Sequence, residues 1–399
     1  MNKTILLLSL FVFSVKLNAQ ESWTQKTDFG GLGRYYAAGF SIGTKGYVGT
    51  GYAGGSMKKD FWEWDQNTDT WTQKADYGGA IVQNAVGLSI GNKGYIGTGY
   101  DGTLRSDFWE FDTTANTWTA KAAFAGTPRS GAAAFTIGNK GYIATGNLGG
   151  STFSNELWEY DPSTDSWAAK SSLPGSTREF AVTFSIGTKG YIGTGKNAWK
   201  HNDFWEWDQA TDTWIQKADF AGTARYSASG FSIGNKGFIG TGFDGEKQKD
   251  FWEWDQLTNT WLQKADFADS ATYRCVSFSI GNKGYIGTGL DINGNSRNVF
   301  WEYADSSIIF SEVPDIAVKY QVTIFPNPCS SIAVMVSNKN FNNATLVIYS
   351  VTGKMVRQMN TISGNNITLH RGDLPSGVYL LQLTENNEMI GTQKLIIAE

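Results

Sequence analysis

The chain has 399 residues, with 33 Lys plus Arg against 37 Asp plus Glu for a formal net charge of -4, and 47 Gly against only 7 Pro. The basic residues are spread rather than gathered into a run, which argues against nucleic acid as a partner. No stretch sustains apolar spacing at helical period, so an all-β chain of tight hairpins is expected, with room for one large domain and a smaller one.

Taken from the start, Lys3 precedes an apolar stretch from Ile5 to Val15, and Leu17, Asn18 and Ala19 make a small-residue cleavage site. Residues 1–19 therefore read as a signal peptide, too short to serve as a transmembrane segment, and the mature chain is expected outside the cytoplasm.

The block SIG(T/N)KGY(V/I)GTG from Ser41 to Gly51 then recurs at 89, 136, 185, 232 and 279, so six copies stand 47 to 49 residues apart. That period is the length of one four-stranded propeller blade, and six copies predict a six-bladed β-propeller over residues 20–304. Within one repeat, Tyr35–Ile42 is expected as the inner strand, Tyr47–Tyr52 as the second, Phe61–Asp65 (FWEWD) as the third and Trp71–Lys74 as the outer strand. The sixth repeat has no outer-strand Trp after Ala304. Its missing piece is Ser22–Lys26 (SWTQK), a copy of TWTQK at 70–74, so an N-terminal strand should complete the last blade and remove two open edges.

These repeats resemble Kelch repeats in the glycines ending the second strand (Gly49 to Gly51), the aromatic-Asp ending the third and the Trp about six residues later. Residues 305–320 read as a linker. From 321 to 399 the pattern changes to short alternating strands of an immunoglobulin-like β-sandwich. Pro326-Asn327-Pro328, Gly353, Gly377-Val378-Tyr379 and the closing Lys394–Ile397 resemble the C-terminal sorting domain (type A) of the type IX secretion system of Bacteroidota. The resemblance implies the secretion machinery as a partner and a protein secreted or held on the outer cell surface.

Loops joining the outer strand to the next inner strand, and the second strand to the third, should share one face, and these vary among the repeats. That face is the candidate binding face, for a glycan or protein ligand. At the entry to the inner strands stand Arg34, Arg129, Arg178, Arg225 and Arg274, with Gln83 in blade two, and beside them Tyr35, Phe180, Tyr226 and Tyr273. A ring of guanidinium groups would grip carboxylates while aromatics stack on sugar rings; a structural role for arginines recurring in five blades is the competing reading. Trp199 occurs only in blade four and joins the ligand-binding candidates.

No cofactor or metal site is expected. Asp65 and Asp69 read as turn caps, not calcium ligands; the Gly-Thr-Gly segments lie within strands and are not phosphate loops; Glu63 suits a cross-strand pair with Lys74. Cys275 and Cys329 have no spacing that suggests a bridge. Of the Kelch-like enzymes, copper radical oxidases need two His with Tyr and Cys, whereas this chain has only His201 and, in the tail, His370. A sialic acid epimerase or mutarotase would find one carboxylate for acid–base work, Glu179. The expectation is a binding propeller without a catalytic constellation; a carbohydrate-active enzyme and a purely structural surface protein are the alternatives.

Overall fold

A computed structural model describes residues 21–305, 322–350, 355–385 and 388–398. The expected signal peptide and residues 306–320 of the expected linker lie outside the described residues. The chain divides into two compact units, residues 1–310 and 311–399.

In the first unit, the first blade orders its strands Ala38–Ile42, Lys45–Gly49, Phe61–Asp65 and Thr70–Lys74, each antiparallel to the next. Four further blades repeat this order, with inner strands starting at Val86, Ala133, Val182 and Ser229. The sixth takes three strands from residues 276–305 and its outer strand from Glu21–Gln25. Inner strands of successive blades adjoin, and the sixth adjoins the first, so the sheets form a closed six-bladed propeller. At the seam Trp23 faces Tyr303 across the strand pair and sets its ring edge-on to Phe251 and Phe267 at 5.0 and 5.1 Å.

The repeated block serves this packing. The inner-strand aromatic of one blade lies over the glycine of KGY or KGF in the next: Phe40 over Gly94, Phe184 over Gly237, Phe231 over Gly284. A Cβ at any of these glycines would come closer than 3.0 Å to the ring, so only glycine lets the sheets approach. Inner-strand hydroxyls then stitch blade to blade. Ser41 donates to the Ser279 carbonyl at 2.7 Å and Ser232 to that of Ser185 at 2.8 Å.

Two strand limits differ from the sequence expectation. The second strand ends at Gly49, because Thr50 and Gly51 take φ of 61° and 86° and leave the sheet. The Gly-Thr-Gly segments are thus strand exits rather than strand interiors. The inner strand starts only at Ala38, because Tyr36 has φ of 57°. At the opposite end the Asp65 carboxylate accepts from the Asn67 N–H at 2.8 Å, as a turn cap does, and Glu63 pairs with Lys74 at 3.5 Å.

The second unit is one antiparallel sheet of five strands, Val322–Phe325, Ile332–Ser350, Met355–His370, Gly377–Glu385 and Glu388–Ile397. Register shifts along the 19-residue second strand let the sheet curl over a core that includes Met335, Phe341, Leu346, Leu381 and Leu395. The expected sandwich is therefore built by one sheet folded on itself. Asn327 ties the Pro-Asn-Pro turn to the last strand, donating to the Lys394 carbonyl at 2.6 Å and accepting from the Ile396 N–H at 2.8 Å. Cys275 and buried Cys329 are both free thiols.

Candidate functional site

The two variable loop classes do meet on one face. Short backbone bridges join the second-to-third loop of four blades to the entry segment of the next: Lys58 to Val82, Arg105 to Arg129, His201 to Arg225 and Gln248 to Thr272.

Closest to the axis, one residue per blade forms a ring. The N–H of Asn84 donates to the carbonyl of Tyr36 (3.1 Å), Gly131 to Asn84 (3.0 Å), Phe180 to Gly131 (2.8 Å), Ser227 to Phe180 (3.1 Å), Arg274 to Ser227 (3.1 Å) and Tyr36 to Arg274 (3.2 Å). All six residues have φ between 51° and 62°, and five of them are not glycine. Left-handed backbone of this kind is costly for ordinary residues, so the ring is held by its surroundings. These six residues edge a cavity of about 150 Å³ at the channel mouth. Below it the channel continues through cavities of about 200 and 180 Å³ lined by the inner strands.

The arginines do not form the expected ring at this mouth. Arg34, Arg129, Arg178 and Arg225 are 0–1% exposed and point into the blades. Arg178 donates to the Thr194 carbonyl at 2.9 Å, to the Ser176 carbonyl at 2.9 Å and to both oxygens of Asp203 at 2.6 Å. Arg34 meets Asp60 and Thr50 in the same way, Arg225 meets Asp250 and Thr241, and Arg129 meets Glu156 and Thr145. Burial would raise the carboxyls of Asp60, Asp203 and Glu156, but hydrogen bonds and charge from their arginines prevail and hold each below its usual value. With every guanidinium nitrogen donating inside the fold, these groups brace the strand exits.

Arg274 occupies a different place. The four buried arginines stand four residues before the inner strand begins, where blades two and six carry Val82 and Thr272; Arg274 stands two residues before Val276 and is the ring residue of blade six. Gln83 is displaced by one, in register with Tyr35. The signal that separates these positions is the residue count to the first inner-strand residue.

The Arg274 guanidinium lies 4.3 Å from the Tyr36 ring centre, 4.4 Å from Tyr273 and 5.6 Å from Tyr35. Its Nε is buried without an acceptor, and among the described residues no carboxylate forms an ion pair with it. Across the mouth Tyr36 stacks on Phe180, centres 5.2 Å apart and 12° from parallel. Beside them Glu179 is 6% exposed, 3.4 Å from Lys196 and accepting from Asn147 at 3.3 Å. Burial pushes its carboxyl above the usual range despite the opposing pull of Lys196, Asn147 and Arg274. Lys196 also lies 4.6 Å over the Tyr226 ring. Burial raises the Tyr36, Tyr35 and Tyr226 phenols, so they stay protonated donors at neutral pH. Sequence reasoning missed Tyr36, Asn84, Gly131 and Ser227. Trp199 is apart from the mouth and 77% exposed, so it does not pack away on a neighbouring loop.

Six closed blades sealed by an N-terminal strand, with this axial ring, define a Kelch-type propeller joined to a sorting domain. Residues 323–398 match the family described as secretion system C-terminal sorting domain. The second unit is thus a type IX sorting domain, and the protein is exported to the outer surface or beyond. The solved structure of YjhT is similar, with a TM-score of 0.59 and 17% identity over 69% of this chain and 95% of that one, a likeness of fold alone. The endo-acting ulvan lyase of Formosa agariphila is 33% identical over 107 residues, 27% of this chain and 20% of that protein. The chain therefore spans about a fifth of the length of that relative. Among the described residues no helix is long and apolar enough to cross a membrane.

Proposed function

We propose that the propeller is a secreted or surface-held binding module that takes an anionic group of a glycan at the axial mouth. The observation that carries this is Arg274, a guanidinium set among tyrosines with a buried Nε and no carboxylate of its own. A partly buried cation with no ion-pair partner among the described residues favours an arriving carboxylate or sulfate, which the planar group can hold with two donors. Arg34, Arg129, Arg178 and Arg225 have no part in this binding. Isothermal titration of the full chain with galacturonate tests it: binding should be weakened at least tenfold in Arg274→Ala, and binding that ignores this change would sink the reading.

Glu179 favours a second reading, a carbohydrate-active enzyme of the epimerase or mutarotase kind. A buried carboxyl beside the mouth whose pKa burial raises is moved in the direction that acid–base work near neutral pH uses. Turnover of free sialic acid, lost in Glu179→Gln with binding retained, would establish it.

A further inference from the structure

The mouth cavity, about 150 Å³, is smaller than the few hundred Å³ in which proteins usually enclose a whole small ligand. It has room for an anionic substituent, while the body of the ligand must lie on the face outside. A further cleft on this face, of about 400 Å³, is lined by Ser151, Phe153, Thr177, Asn197, Ala198 and Trp199.

This cleft is joined to the mouth through covalent and hydrogen-bonded structure. Glu179 and Lys196 exchange both backbone hydrogen bonds, at 2.8 and 3.0 Å, and Asn197 is the next residue outward. On the neighbouring blade Asn147, which donates to Glu179, pairs in a hairpin with Phe153 of the cleft. The backbone at Trp199 is held: its backbone N–H donates to the Asn197 side chain at 2.8 Å, and the Asn197 backbone N–H donates to the Trp199 carbonyl at 2.9 Å. An indole left mostly in water on a held loop, in a cleft with a second aromatic and with amide and hydroxyl groups around it, has the composition of a platform for the C–H face of a pyranose.

We infer that this face binds an oligosaccharide and not a single sugar, with its acidic group at Arg274, its chain passing over Glu179 and Lys196, and a further pyranose seated on Trp199. This rests on the anionic-glycan reading of the mouth. The path also fits the occurrence of Trp199 and its loop in blade four alone: the platform lies on the same blade as Glu179.

Galacturonate and tetragalacturonate, titrated into the full chain, separate the two ideas. The tetramer should bind at least about tenfold more tightly than the monomer. Trp199→Ala, an exposed position that leaves folding intact, should remove that gain and leave monomer affinity unchanged; Arg274→Ala should weaken both. Equal affinity for the two sugars, or a gain that survives Trp199→Ala, overturns the extended path while the Arg274 site stands. Failure of the monomer and tetramer alike to bind the wild-type chain overturns the mouth reading and the path with it. Binding of neutral maltotetraose that needs Trp199 but not Arg274 does the same.

Discussion

The backbone N–H of Tyr36 donates to the carbonyl of Arg274 at 3.2 Å, and this hydrogen bond closes the ring of six that edges the channel mouth. It joins the first blade to the last alongside the covalent link, the segment that runs from Glu21–Gln25 in blade six to Ala38 in blade one. The strand that seals blade six, Glu21–Gln25, therefore supports the site from the far side of the sheet. Trp23→Ala removes a half-buried indole from between Phe251, Phe267 and Tyr303 and should cost about 3 kcal/mol. Urea unfolding followed by tryptophan fluorescence reads the shift. An unchanged midpoint would mean that the seam is held elsewhere.

Arg178 and Arg274 should behave in opposite ways. Arg178→Ala strands the Asp203 carboxylate and the Thr194 carbonyl inside the blade, so a loss of about 3 kcal/mol is expected. Arg274→Ala removes no ion pair and gives up contact with tyrosine rings and a minor attraction to Glu179, so its cost should stay below about 1 kcal/mol. Measured side by side by urea unfolding, a reversal of this order would return Arg178 to the ligand-binding candidates.

The KGF glycine of blade five supplies a packing test. Gly237→Ala places a methyl group against the Phe184 ring from the preceding blade, and the sheets must part to admit it. Overpacking of this kind costs about 1–3 kcal/mol. The paired substitution Gly237→Ala with Phe184→Leu should recover part of the loss, whereas equal or additive losses would show that the two sites do not meet.

Glu179 predicts a pH dependence of known sign. Its folded-state pKa is raised by burial, so between the ordinary carboxylate value and the raised one the native chain holds more protons than the unfolded chain. Stability from this group is present at low pH and is lost as pH rises through that window. Asp60 and Asp203 run the other way, since their lowered values give stability that is present at neutral pH and lost on acidification. Glu179→Gln should flatten the fall in melting temperature above pH 4.5 and leave the acid limb unchanged. A steeper fall in the variant would contradict the burial account.

Much of the architecture is readable from the repeat alone. The count of blades and the turn-capping Asp65 follow from residues whose neighbours in sequence are also their neighbours in the sheet, and the closing strand, which pairs with residues 301–305, follows from its copy of the outer-strand pattern. Periodicity carries that information because each blade buries the same pattern. The site was legible only in part. The entry segment turns through left-handed backbone between the strand exit and the inner strand, so Arg225 and Arg274, both arginines just ahead of an inner strand, end with opposite surroundings. One donates to Asp250 within a blade; the other faces the axis among tyrosines. A shift of two residues in that segment, with Thr272 standing where the other arginines stand, decides between brace and ligand, and only the closed ring of hydrogen bonds fixes which residue is which. The sequence by itself determined the scaffold, because its contacts repeat. The tertiary structure decided the site, because its residues come from six blades and meet only when the ring is shut.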